Sequence, residues 1–278
     1  MTKFKASITM IILILSITFA YAQESYKLEY KFEKGKTYLY KDFTTGDITQ
    51  EMMGREIKMK NESNAVIRIV VDNVAKDREA TLLVSADSLS VFSSTPRGDT
   101  TMTMNEMIGK RTKVILSSTG KITKIETIDS IKLMGRAMGG AQREGIKFAQ
   151  LSDKPVKIGE TWTSSTQDTV NQMGGKIVVT GNHEYTLVGK EKKDGYDCLK
   201  ITFTGKTTTE GKASVQGMEF FIDGSGKVNG TFFFNPKAGL LIYEETNTDS
   251  ETNMATTGEQ SMIIPITQVT KSIRNLLK

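Results

Sequence analysis

Alternation with a period of two, sustained over long threonine-rich runs and broken by short turns, constrains this chain more than any other feature. Ala80, Leu82, Val84 and Ala86 alternate with Thr81, Ser85 and Asp87, and Leu199, Ile201 and Phe203 alternate with Lys200, Thr202 and Thr204. Each run has one apolar and one polar face, which is the pattern of a strand buried on one side. Turn signals separate such runs at Lys76-Asp77-Arg78, Lys193-Asp194-Gly195, Asp223-Gly224-Ser225-Gly226 and Lys237-Ala238-Gly239. Strands joined so briefly are antiparallel, because a parallel return needs a crossover of about a dozen residues. Only four prolines interrupt the chain, and threonine fits the pleat. The expected fold is mainly β, with long antiparallel strands in a curved sheet, as a half-barrel or a sandwich.

The chain also repeats itself. Gly35-Lys36-Thr37-Tyr38 matches Gly159-Glu160-Thr161-Trp162, residues 69–88 resemble 186–205 with Leu82 opposite Leu199, and 117–126 resemble 235–245. The offsets stay close to 120 residues, so two similar β-units are expected, 23–127 and 153–278, either as separate bodies or as one continuous domain. Between them, Ile128, Ile131, Met134 and Met138 recur at helical spacing behind Thr127, a candidate cap, and predict a short helical connector over 128–152. Gly135, Gly139, Gly140 and Gly145 weaken that helix by about 1 kcal/mol each. It reads either as a plain connector or as a hinged cover over an opening in the sheet.

The first 22 residues carry Lys3 and Lys5, an apolar run from Ile8 to Phe19 and then Ala20-Tyr21-Ala22, which is the pattern of a signal peptide cleaved after Ala22. The run is shorter than the roughly 20 residues of a membrane-spanning helix, and no cysteine near Gln23 offers a site for lipid. The expected product is exported, to the periplasm or beyond, with no membrane span in the mature chain. The full chain has 37 Lys and Arg against 32 Asp and Glu; cleavage removes two lysines and no acid, leaving +3. The lysines sit mostly in turns without interleaved aromatics, so no nucleic-acid partner is expected. A single cysteine, Cys198, allows no internal disulfide, and the fold must rest on its own core.

Catalytic patterns are missing from the sequence. One histidine, His183, and one cysteine cannot build a closed Cys/His zinc site, no G-x-S-x-G elbow occurs, and Asp223–Lys227 lacks both the first glycine and the Ser/Thr of a phosphate loop. Glu244 and Glu245 are adjacent, which in a strand sends them to opposite faces. No enzyme activity and no cofactor are expected. Methionine stands out instead, at Met52, Met53, Met59, Met102, Met104, Met107, Met134 and Met138. Three readings compete for it: core filler, a deformable lining for a lipid-like or apolar ligand, and a thioether site for Cu(I) at Met102-x-Met104-x-x-Met107. On the ligand reading the lining residues are Ile131, Met134, Met138, Met102 and Met104.

The signal peptide, the K-x-G-x-T-[YW] opening, the Thr-rich strands and the phrase Lys154-Pro155-Val156-Lys157-Ile158-Gly159-Glu160-Thr161-Trp162 together resemble a family of uncharacterised secreted bacterial β-proteins with no assigned function. In architecture alone the pattern is similar to the half-barrels of periplasmic lipoprotein carriers, which implies a curved sheet around an apolar cavity. Two functions follow as expectations. One is a non-catalytic binding protein for a lipid or other apolar small molecule; the other is a structural module with a solid core that docks a partner protein of the cell envelope.

Overall fold

In a computed structural model of the chain, the described residues are 24–52, 54–129, 132–133, 136–137, 146–172, 175–215, 218–256 and 261–277. Ile131, Met134 and Met138, like the signal segment, lie outside them. The strands are β1 (Ser25–Tyr26), β2 (Thr37–Met52), β3 (Arg55–Val74), β4 (Ala80–Thr95), β5 (Gly98–Thr103), β6 (Thr112–Leu116), β7 (Ile122–Thr127), β8 (Lys132–Leu133) and β9 (Arg136–Ala137). They continue as β10 (Val156–Lys157), β11 (Thr161–Gln172), β12 (Gly175–Lys193), β13 (Tyr196–Val215), β14 (Met218–Asn235), β15 (Leu240–Thr256) and β16 (Ile263–Leu276). Twelve of them form one antiparallel sheet in the order β11-β12-β13-β14-β15-β16-β2-β3-β4-β6-β7, with β5 against the far half of β4. Among the described residues the sheet does not close, and its edges are β11 on one side and β7 and β5 on the other.

The two units share their turns hydrogen bond for hydrogen bond. Gly35 N donates to Val71 O (2.8 Å) and Gly159 N to Leu187 O (2.7 Å). Lys36 N and Glu160 N each bond three residues back, to Glu33 O (3.1 Å) and Lys157 O (3.0 Å). Val71 N and Leu187 N return bonds to Lys36 O and Glu160 O. Both glycines stand at positive φ, +82° and +90°, which a side chain would resist. Leu82 and Leu199 are both fully buried, and the aromatics Tyr38 and Trp162 both pack on the core. The units meet through β16 and β2, so they make one continuous sheet.

An open, curved sheet leaves its concave face to be filled, and here the N-terminal segment fills one end. Tyr26, Leu28, Tyr30 and Phe32 are buried in a single cluster with Val71, Leu82, Leu116, Leu187, Ile201, Phe232 and Phe234. Tyr30 N donates to Ser118 O (2.7 Å) and Lys31 N to Gly239 O (3.1 Å), so the segment is stapled to the corresponding turn of each unit. The Tyr30 ring stacks on Phe32 (5.4 Å) and meets Phe148 and Phe234 edge-on. Residues 146–152 run beside it as an irregular strap. Tyr30 Oη donates to Ala149 O (3.3 Å), Leu151 N to Thr119 O (2.8 Å) and Trp162 Nε1 to Gln150 O (3.2 Å).

Two local expectations need correction. Where it is described, the stretch expected to be helical holds the short pair β8 and β9 and then the strap, and Thr127 ends a strand instead of capping a helix. Among the described residues the one helical turn is the 3-10 turn Asn105–Met107. Asp223-Gly224-Ser225-Gly226, read as a turn, lies inside β14, paired with Glu210–Thr207 on one side and Asn253–Ser250 on the other. A Cβ on Gly224 would come within 2.7 Å of Thr252 Oγ1, and one on Gly226 within 2.7 Å of Thr207 Oγ1. These glycines let the sheet curl tightly across its concave face.

If the N-terminal segment is core, Leu28→Ala should cost about 2–5 kcal/mol in chemical denaturation, while Met102→Ala, on an exposed strand, should stay within about 0.5 kcal/mol. Equal, small effects would show that the segment does not carry the core.

Candidate functional site

The concave face continues past the aromatic core as a trough, and the register of β15, β16 and β2 sets what lines it. Asp42 pairs with Arg274 and Arg274 with Glu244, so the three charges sit in one inward row across three strands. Arg274 Nε donates to Asp42 Oδ1 (2.8 Å) and Nη2 to Asp42 Oδ2 (2.6 Å), a bidentate pair with side chains only 15% and 22% exposed. Arg274 Nη1 donates to the backbone oxygen of Lys147 (2.6 Å), which ties the strap down over the row.

To one side of this row lies a cavity of about 200 Å³ walled by β2, β3, β4 and β6. Its apolar surface comes from Ile67, Ile69, Val84, Leu89 and Met107, with Ile146 and Phe148 of the strap above them. To the other side a polar channel of about 620 Å³ runs along Thr44, Thr246, Thr248, Ser250, Gln268 and Thr270. The two spaces share Asp42, Thr44, Lys147 and Arg274, so the charged row is the junction between an apolar and a hydroxyl-rich compartment. Thr44 Oγ1 and Ser272 Oγ share a hydrogen bond (3.0 Å), as do Gln268 Nε2 and Thr270 Oγ1 (3.0 Å).

Electrostatics here follow from burial. Desolvation raises the Glu244 carboxyl above its ordinary range against the pull of Arg274 and Lys147, with Asp42 adding to the rise. His183, half-buried on β12, is lowered by desolvation and then by the charge of Lys147. Its ring lies between Gly181 and Gly205, where any Cβ would collide with it, and beside Tyr185 and Phe203. His183 Nδ1 and Thr112 Oγ1 are enclosed without a hydrogen-bond partner among the described residues. Cys198 is buried on β13, and desolvation pushes its thiol up to about 11, an inert setting. Among the described residues no three His, Cys, Asp or Glu side chains converge as metal ligands.

The methionines divide. Met102 is 49% exposed on β5, and Met104 is half-buried ahead of the 3-10 turn; neither lines the cavity, whereas Met107 of the same motif does. Of the residues that shape the trough, Asp42, Thr112, Lys147 and Arg274 escape sequence reasoning, while Glu244 enters it only as a carboxylate pointing away from Glu245. One signal is legible afterwards: Gln268, Thr270, Ser272 and Arg274 put polar groups at every second position of β16, on the face that packs inward.

Comparison with known proteins adds little on function. A family model, described as a family of unknown function (DUF6263), matches residues 147–241. No curated protein matches the chain. Similar solved structures include Neisserial surface protein A (NspA), at 6% identity over 85% of this chain and 96% of that one with a TM-score of 0.24. Others are the COG4313 outer membrane channel from Pseudomonas putida F1 (9% identity, 90% and 98% covered, TM-score 0.28) and OccK2 (OpdF) of Pseudomonas aeruginosa (6%, 87% and 98%, TM-score 0.26). Scores this low carry no argument. The outward face is informative by itself: Lys206, Glu210 and Lys212 of β13, Asp223 and Lys227 of β14, Asp249 and Glu251 of β15 and Lys271 of β16 are all exposed. A lipid-facing strand would lose roughly 2–4 kcal/mol for each lysine near the bilayer midplane. Among the described residues no helix is long and apolar enough to cross a membrane.

The lowered His183 value sets a pH dependence. Unfolded histidine takes its proton near 6.5 and folded His183 resists it to a lower pH, so the stability it contributes is complete above 6.5 and is lost as pH falls through the folded value. The stability of the wild type relative to His183→Gln should therefore decline as the pH falls below about 6.5. A His183 titration by NMR with its midpoint at or above 6.5 would contradict this.

Proposed function

We propose that this is an exported, non-catalytic binding protein that holds a small amphipathic ligand in the concave trough. The observation that supports this most is the junction itself: an apolar cavity and a hydroxyl-lined channel meet at Asp42, Arg274 and Lys147. A solid core has no use for such an arrangement, whereas binding sites combine an apolar lining with a few placed polar groups. The apolar part is small, since a cavity of about 150 Å³ is filled by benzene. The ligand therefore inserts a short apolar body and leaves its polar part at the junction. Export rests on the sequence of residues 1–22, and amino-terminal sequencing of the mature protein should begin at Gln23.

The rival reading, a module that docks another envelope protein, draws support from the open sheet edge. Edge strand β11 presents Thr, Ser and Gln167 with a single charge, Asp168, and no lysine or proline to discourage a further strand. A cavity-filling substitution separates the two. Ala65, buried on β3, lines the apolar cavity, and Ala65→Phe has room only if that space is open. The wild type should bind an apolar fluorescent probe, and Ala65→Phe should abolish uptake while its Tm holds. If the wild type takes no probe and Ala65→Phe loses about 1–3 kcal/mol by overpacking, the core is solid and the docking module replaces the carrier.

A further inference from the structure

The chemistry of the ligand is written in the walls of the apolar cavity. Thr112, the first residue of β6, is 1% exposed and lines this cavity, and its hydroxyl has no partner among the described residues. A buried hydroxyl left unpaired in an empty site is costly, so its place is made good by something that enters. Lys110, two residues earlier, and Lys147, on the strap, line the same cavity. Neither lysine is within ion-pair distance of an acid among the described residues, although Lys110 acts electrostatically on Asp129 and Lys147 on Glu244. The acid in this wall, Asp42, is already held by two of the three guanidinium nitrogens of Arg274, and Glu244 faces the polar channel. The cavity lining therefore carries net positive charge, and of its hydroxyls, which include those of Ser63 and Ser85, that of Thr112 is enclosed without a partner among the described residues.

We propose that the cavity binds a short-chain monocarboxylate, with its carboxylate accepting a hydrogen bond from the Thr112 hydroxyl between Lys110 and Lys147 and its apolar body lying against Ile69, Val84 and Phe148. This rests on the amphipathic-ligand reading above and adds the sign and class of the head group. The cavity volume of about 200 Å³ excludes a diacyl lipid and suits a single short alkyl or aryl body.

Calorimetric titration of the mature chain with sodium octanoate, 1-octanol and octylamine tests this directly. Octanoate should bind saturably and the other two at least about tenfold more weakly, the difference expected of a charge-assisted hydrogen bond. Thr112→Val keeps the shape and removes the unpaired hydroxyl, so it should leave Tm unchanged or raised while weakening octanoate by about fivefold. The double variant Lys110→Gln/Lys147→Gln should remove the preference for octanoate over octanol. Equal binding of octanol and octanoate by the wild type would overturn the carboxylate and leave the amphipathic site standing. Full octanoate affinity in both variants would overturn the placement of the head. Binding of none of the three probes would overturn this assignment and the trough reading with it.

Discussion

An antiparallel sheet that curls without closing has an inner face that must be covered, and the N-terminal segment covers it. Tyr26, Leu28, Tyr30 and Phe32 supply apolar surface that neither β-unit can supply to itself. The backbone bonds from Tyr30 to Ser118 and from Lys31 to Gly239 fix this segment to both units at once. Burial of four such side chains, each worth about 1.5–3 kcal/mol, is of the order of a whole domain's net stability. Everything at the aromatic end of the sheet, including the strap that leans on Tyr30, depends on this contact.

The segment covers only one end, and that limit creates the trough. Beyond the aromatic cluster the inward rows of β13, β14 and β15 turn to Thr, Ser and Gly, before apolar residues return at the far end with Ala213, Phe220 and Ile222. Glycines such as Gly224 and Gly226 allow the strands to curl until backbone and hydroxyl groups nearly touch on the concave side. Where the units join, at β16 and β2, the inward row carries Asp42 and Arg274 instead. Their bidentate pair holds the seam, and the third donor of the guanidinium holds the strap through Lys147 O. One arginine thus ties together the two units and the cover, and also marks the boundary between the apolar and polar halves of the site.

Much of the fold was legible in the sequence because its causes are local. Period-two alternation gave the strands, Lys76–Arg78, Lys193–Gly195 and Lys237–Gly239 lie at or between strand ends, and Gly35 and Gly159 occupy the same turn because only a residue tolerant of positive φ fits there. Local signals also misled. Asp223–Gly226 has turn composition, yet its glycines leave room for the hydroxyls of Thr252 and Thr207, their paired residues on the neighbouring strands. The periodic Ile and Met residues of 128–138 suggested a helix where the described backbone forms the pair β8 and β9. The site was illegible for a related reason. Asp42 and Arg274 are 232 positions apart, and Thr112 becomes notable only once its hydroxyl is enclosed without a partner. Methionine abundance left core filler, a ligand lining and a thioether metal site open, and of the Met102-x-Met104-x-x-Met107 motif only Met107 reaches the cavity.

The central claim is that the trough is a working site and not a packing flaw, and its occupancy in the cell decides between the two. Native mass spectrometry of the mature protein, purified from its own source without added ligand and sprayed under gentle conditions, reads that occupancy. A bound small molecule, released on activation and ionising as an anion, is the predicted result. A bare protein mass that stays bare after incubation with saturating octanoate would contradict the account.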